Sequence, residues 1–202
     1  LAQVDEFHFR GLAATKELID QLGAKASDHI LDAGSGLGGP ARQLASASGC
    51  KVTGIDLSQE YQAVGQALNA WTWQEEKVDL QQGDVTDLSR FEDNSFEGAW
   101  TIHVGMNVAN KAGFYGEVLR VLKPGARFVI YDVVTKKENG EVHYPMPWSR
   151  TAKNSFLLTA EQLRTQLTDQ GFEILDSRDQ TAEGAGFVDK IISRIQSSDG
   201  PP

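Results

Sequence analysis

A run of glycines and three aspartates are the residues whose types and spacing could do chemistry. The stretch LDAGSGLGGPAR, residues 31–42, places Gly34, Gly36 and Gly39 in the pattern GxGxxG. Such a turn brings backbone close to a ligand where a strand hands over to a helix. Asp32 stands two residues before the first glycine, and Asp56 follows 20 residues after Gly36. A carboxylate at the second position can accept hydrogen bonds from two ribose hydroxyls. Asp84, after QQG, is placed to accept from an adenine amino group.

The glycines alone fit two ligands: the pyrophosphate of a dinucleotide such as NAD, and the amino-acid end of S-adenosylmethionine. Both carry a ribose, so Asp56 does not choose. Asp32 does. A carboxylate beside a pyrophosphate repels it, whereas one beside an ammonium and a sulfonium attracts them. The ordered set Asp32, glycines, Asp56 and Asp84 therefore predicts S-adenosylmethionine as cofactor.

The elements that must position these groups alternate. HILDAG (29–34), KVTGIDL (51–57), VDLQQGD (78–84), FEGAWTIHV (96–104), ARFVIYDVV (126–134) and FEILDSRDQ (172–180) read as six strands. Helical patterns fall between them, at 40–48, after Ser58, and over 110–122, where KPG stops the helix. Such alternation predicts parallel strands joined by crossover helices. Residues 12–22 form a helix behind an arm containing FHFRG, so 1–28 reads as an arm and helix covering the site and 29–202 as the main domain. The span 135–158 has no period and reads as a substrate loop. Thr159 and Gln162 make a capping box for the next helix, and Phe187, Val188, Ile191, Ile192 and Ile195 outline a last one.

The 202 residues suit one domain, with 40% hydrophobic and 23% charged residues. A net charge of -9 disfavours a nucleic-acid partner, and no apolar run approaches a membrane span. The single Cys50 reads as a buried thiol in a reducing compartment, so a cytoplasmic location is expected. His8, His29 and His143 are scattered and give no metal-ligand spacing. The chain begins at Leu1, so a targeting segment upstream would not be visible. A small-molecule acceptor is the expected partner, and a homo-oligomer is left open.

ILDAGSGLGGPAR, GID, QGDVTDL and VLKPGARFVIYDV together resemble the class I S-adenosylmethionine-dependent methyltransferases over about residues 29–180. FHFRGLAAT, IHVGMNV, YPMPW and SFLLT resemble the branch of sarcosine/dimethylglycine N-methyltransferases and quinone C-methyltransferases. The resemblance implies an α/β, Rossmann-like, mostly parallel sheet. It implies that Asp32, Ala33, Gly34, Ser35, Gly36 and Gly38 hold the methionine end. Asp56 with Leu57 would hold the ribose, and Asp84 with Val85 the adenine. Thr101 and His103 would face the sulfonium and acceptor, and Arg10 and Gly11 would cover the cofactor carboxylate. The family's seventh strand, antiparallel between the fifth and sixth, finds no residues before SSDGPP. The expectation is a chain that continues beyond Pro202, or a strand supplied by another chain.

Methyl transfer from a sulfonium is an in-line displacement, in which the protein mainly positions and dries the reactants. An amine acceptor such as a glycine derivative is expected. His103 is the candidate general base, and a packing role is equally open to it. Tyr144, Met146 and Trp148 form a candidate apolar wall for the acceptor, or pack the loop. Arg10 or Arg150 is placed to pair with an acceptor carboxylate, or stays solvated. Two other functions stay open: a scaffold or regulator that binds cofactor, and an NAD-dependent oxidoreductase.

Overall fold

The computed structural model describes residues 5–138 and 140–197. Residues 198–202 of the SSDGPP run and the side chain of Ile195 lie outside that description. The elements run α1 (Leu12–Leu22), β1 (His29–Ala33), α2 (Gly39–Ser48), β2 (Lys51–Asp56), α3 (Gln59–Trp71), β3 (Val78–Gln82) and β4 (Phe96–Ile102). They continue with α4 (Lys111–Val121), β5 (Leu122–Tyr131), α5 (Ala160–Gln170) and α6 (Thr181–Ser197). Short 3₁₀ turns lie at Gly105–Asn107 and Ala152–Asn154.

The sheet has five strands in the order β3-β2-β1-β4-β5, and every pairing is parallel. A parallel sheet must be covered on both faces, and alternation along β1 shows how. Ile30 points into one core with Leu18 and Leu22 of α1 and Leu44 of α2; Cys50 is buried there too. Leu31 points into the other core, with Phe114 and Val118 of α4 and Leu167 of α5. α1 thus closes one face of the sheet.

Local chemistry sets the element ends. The hydroxyl of Ser58 accepts from the N–H of Tyr61, and Thr159 and Gln162 form the reciprocal capping box. β5 starts earlier than its β-branched run: Leu122 pairs with Phe96, and a register shift before Gly98↔Arg127 absorbs the KPG residues as an irregularity.

The sixth strand expected over 172–180 does not form; those residues have no regular structure, and Leu175 is 74% exposed. Strand propensity fails there because a strand needs a neighbour for its backbone groups. A cleft of about 2200 Å³ separates this segment from β5. No helix among the described residues is long and apolar enough to cross a membrane.

Candidate active site

The strand order reverses between β1 and β4, so the connections leaving their carboxyl ends diverge and open a crevice there. The glycine turn lies at that edge. Gly34 and Ser35 donate their N–H groups to the carbonyl of Ile55 at 2.8 and 3.1 Å, stitching the turn to β2. Gly34 has φ 91°, and a Cβ on it would stand 2.1 Å from Val104. Gly36 has φ 53°, and a Cβ there would meet nothing within 4 Å. One glycine is thus required by packing, and the other faces open space.

Asp56 divides its carboxylate: Oδ2 accepts from the Gly36 N–H at 2.9 Å and Oδ1 from the Ser58 N–H at 3.0 Å. Gln62 reaches from α3 to the Gly36 carbonyl at 3.2 Å. From α2, the buried Arg42 donates to the Leu37 carbonyl, to Asp5 Oδ2 and to Asn69 Oδ1, each at 2.8 Å. The turn is therefore held in shape without a ligand.

Asp32 is 2% exposed, and its Oδ2 makes no hydrogen bond of good geometry; the Trp100 indole on the neighbouring strand, also unpaired, is the donor nearest to serving it. Burial raises the Asp32 carboxyl to about 7; the Trp100 indole opposes the rise, and the charges of Asp56 and Glu6 add to it. An unpartnered buried carboxylate oxygen beside an open glycine turn fits the ammonium and sulfonium of S-adenosylmethionine, and would oppose a pyrophosphate. Asp84 is exposed, its Oδ1 accepting from the N–H and hydroxyl of Thr86 at 2.8 Å. Val85 is buried, and Leu57 is 68% exposed.

Thr101 is fully buried, and its hydroxyl donates to the Ala33 carbonyl at 2.7 Å. It ties β4 to β1, where a group facing the sulfonium was expected. Arg10, expected to cover the cofactor carboxylate, has its guanidinium paired with Glu17 and donating to Gln180 Oε1 at 2.6 Å. Gly11 precedes α1, and its carbonyl lies 3.0 Å from His8 Nε2.

His103 sits just past β4 with φ 55°. Its ring centroid lies 5.0 Å from Tyr131, 5.2 Å from Phe9 and 6.0 Å from His8. Burial, with His8 adding, lowers its pKa to about 3. The ring therefore stays neutral at physiological pH.

The loop over 135–158 docks on the turn after His103. Asn107 donates through Nδ2 to the carbonyls of Trp148 and Asn154, and the Phe156 N–H donates to the Met106 carbonyl at 2.7 Å. Tyr144, Met146 and Trp148 are half-buried, and the Trp148 indole donates to Ser155 Oγ at 3.0 Å. Arg150 is exposed. Sequence reasoning missed Glu6, Arg42, Lys111 and Asp132, all of which support this region. Only Asp132 carried a readable signal, an acid at the carboxyl end of a strand, as with Asp56.

Fold and site together define a doubly wound α/β protein built to hold a cationic nucleoside ligand. Comparison with known proteins gives the family. The model of the methyltransferase domain matches residues 31–130. A sterol 24-C-methyltransferase of Saccharomyces cerevisiae is 31% identical over 163 residues, covering 78% of this chain and 42% of that protein. The O-methyltransferase resE of Aspergillus sclerotiorum is 30% identical over 194 residues, 92% of this chain and 71% of that one. The crystal structure of the [4+2]-cyclase SpnF superposes with a TM-score of 0.80 at 26% identity, over 92% of this chain and 65% of that one. The chain belongs to the methyltransferase-domain family; it is a class I S-adenosylmethionine-dependent methyltransferase domain. It spans less than half the length of the sterol methyltransferases it matches.

Proposed function

We propose that this chain binds S-adenosylmethionine at the turn from Asp32 to Gly38 and transfers its methyl group to a small-molecule acceptor. The observation that carries this reading is the buried, unpartnered oxygen of Asp32 beside an open glycine turn. The cofactor supplies a methyl group already activated on a sulfonium. The chain supplies position. Asp56, besides its two backbone donors, keeps lone pairs for ribose hydroxyls. Asp84, steadied by Thr86, is the adenine acceptor, with Val85 and Leu57 beside it. His103, Tyr131 and Phe9 form an aromatic wall that excludes water from the acceptor.

We read the acceptor as an amine of the glycine-derivative type, on the strength of FHFRGLAAT and YPMPW. The amine then loses its proton before transfer, since an apolar wall disfavours the ammonium form and His103 is a weak base. The aromatic wall itself favours a second reading, an apolar or phenolic acceptor methylated on oxygen; methyl transfer to oxygen is what the name of the O-methyltransferase relative states.

The test is calorimetric titration with S-adenosylhomocysteine and, in parallel, NAD. Binding of the first alone supports the reading; binding of NAD alone overturns it. Methyl transfer to sarcosine and not to a catechol supports the amine, and the reverse pattern supports the second reading. Cofactor binding without turnover on a broad acceptor panel favours a scaffold.

A further inference from the structure

Asp32 is not alone in lacking a partner. The Glu6 side chain is 1% exposed. Its Oε2 accepts from the Thr15 hydroxyl at 2.5 Å and lies 3.4 Å from His8 Nε2, but its Oε1 has no partner. The arm that carries it is fixed in place. Asp5 is clamped by Arg42, and the Asp5 carbonyl lies so close to Gly39 that a Cβ there would stand 2.2 Å away. Glu6 is therefore held over the start of α2, one residue from the contact with Gly39 and beside the His8 ring, which lies 6.0 Å from His103 at the carboxyl end of β4.

The cations around Glu6 are otherwise engaged. Arg42 is committed to Asp5, Asn69 and two carbonyls. His8 is pushed down to about 4 by burial, so it stays neutral at physiological pH. Two buried carboxylate oxygens without donors are stable neighbours only when a cation joins them or one takes up a proton.

We infer that Glu6 is a second anionic wall of the cofactor site, acting with Asp32 on the ammonium of the cofactor's amino-acid end. This rests on the reading of the site as one for S-adenosylmethionine. It makes the arm before α1 part of the binding site, through a carboxylate where Arg10 and Gly11 were expected to act.

The experiment titrates the whole chain and its Glu6→Gln variant with S-adenosylhomocysteine and with 5′-methylthioadenosine, which has no amino-acid end. Loss of one charge-assisted contact weakens S-adenosylhomocysteine by roughly tenfold or more and leaves methylthioadenosine within about twofold. Glu6→Asp, which keeps the charge, recovers part of the loss. The methylthioadenosine titration also reports whether each variant is folded. Equal affinity of Glu6→Gln and the parent for S-adenosylhomocysteine overturns the inference, and so does an equal loss for both ligands. A parent chain that binds NAD and not S-adenosylhomocysteine overturns the cofactor reading itself, and this inference with it.

Discussion

The Nζ of Lys111, at the first residue of α4, donates to the carbonyl oxygen of Phe156 in the 135–158 loop at 2.8 Å. The same ammonium donates to the carbonyls of Gly105 and Val108, and Lys111 is 8% exposed. Asp132 faces it from the end of β5, where a Cβ on Gly105 would meet its Oδ2 at 2.2 Å. One buried charge thus joins the turn after His103 to the loop expected to hold the acceptor. Removing it leaves three carbonyls without their donor and takes a nearby positive charge away from Asp132. Lys111→Met is expected to destabilise the chain by about 3 kcal/mol. Thermal denaturation would then show a midpoint lower by roughly 6–12 °C. Hydrogen exchange over 144–158 should quicken more than exchange in β1; uniform change would deny the link.

Arg42 plays the corresponding part under the glycine turn. Its guanidinium joins the arm, the turn and α3 through Asp5, Leu37 and Asn69. Arg42→Leu is expected to cost roughly 3–5 kcal/mol, because it strands a buried Asp5 carboxylate. Urea unfolding checks this. Replacing both residues, as Arg42→Leu with Asp5→Leu, should recover part of the loss.

Asp56→Ala removes the acceptor of two backbone N–H groups and the expected ribose ligand together. Affinity for S-adenosylhomocysteine should fall roughly tenfold to a hundredfold by calorimetry. Unaltered affinity would remove Asp56 from the site.

Burial raises the carboxyls of Asp32 and Asp132 from the usual carboxylate range to about 7. A raised carboxyl stabilises the fold below its unfolded value, and that contribution is lost as pH climbs through the folded one. His8 and His103, lowered by burial to about 4 and about 3, act the opposite way and disfavour the fold below about pH 6.5, so the carboxyl effect is read by difference. Asp32→Asn should raise the midpoint of the chain at pH 8 more than at pH 5, while weakening S-adenosylhomocysteine. An equal change at both pH values would contradict the assignment.

The sequence carried the local features well. A glycine turn, an acid 20 residues on, a capping box and a β-branched strand each announce themselves within a few neighbours. Contacts between distant residues did not. Arg42 meets Asp5 across 37 positions and Lys111 meets Phe156 across 45, and nothing near either cation marks its partner. Thr101 and Arg10 were legible as polar groups near the site, but the partners that occupy them, Ala33 and Glu17, come from other elements. The expected strand at 172–180 shows the same limit from the other side: its residues suit a strand, and the neighbour it needs is a property of the whole sheet.

The flank of β5 turned away from β4 has no strand partner among the described residues, and it is unevenly guarded. Lys123, Pro124 and Arg127 are exposed along its first half, the kinds of residue that discourage a foreign strand from docking. Phe128, Val129, Ile130 and Tyr131 follow without a charge or a proline. This second half ends beside His103. A bare edge of that composition templates self-association, so keeping this chain dispersed in solution and keeping the aromatic wall at His103 uncovered are the same problem.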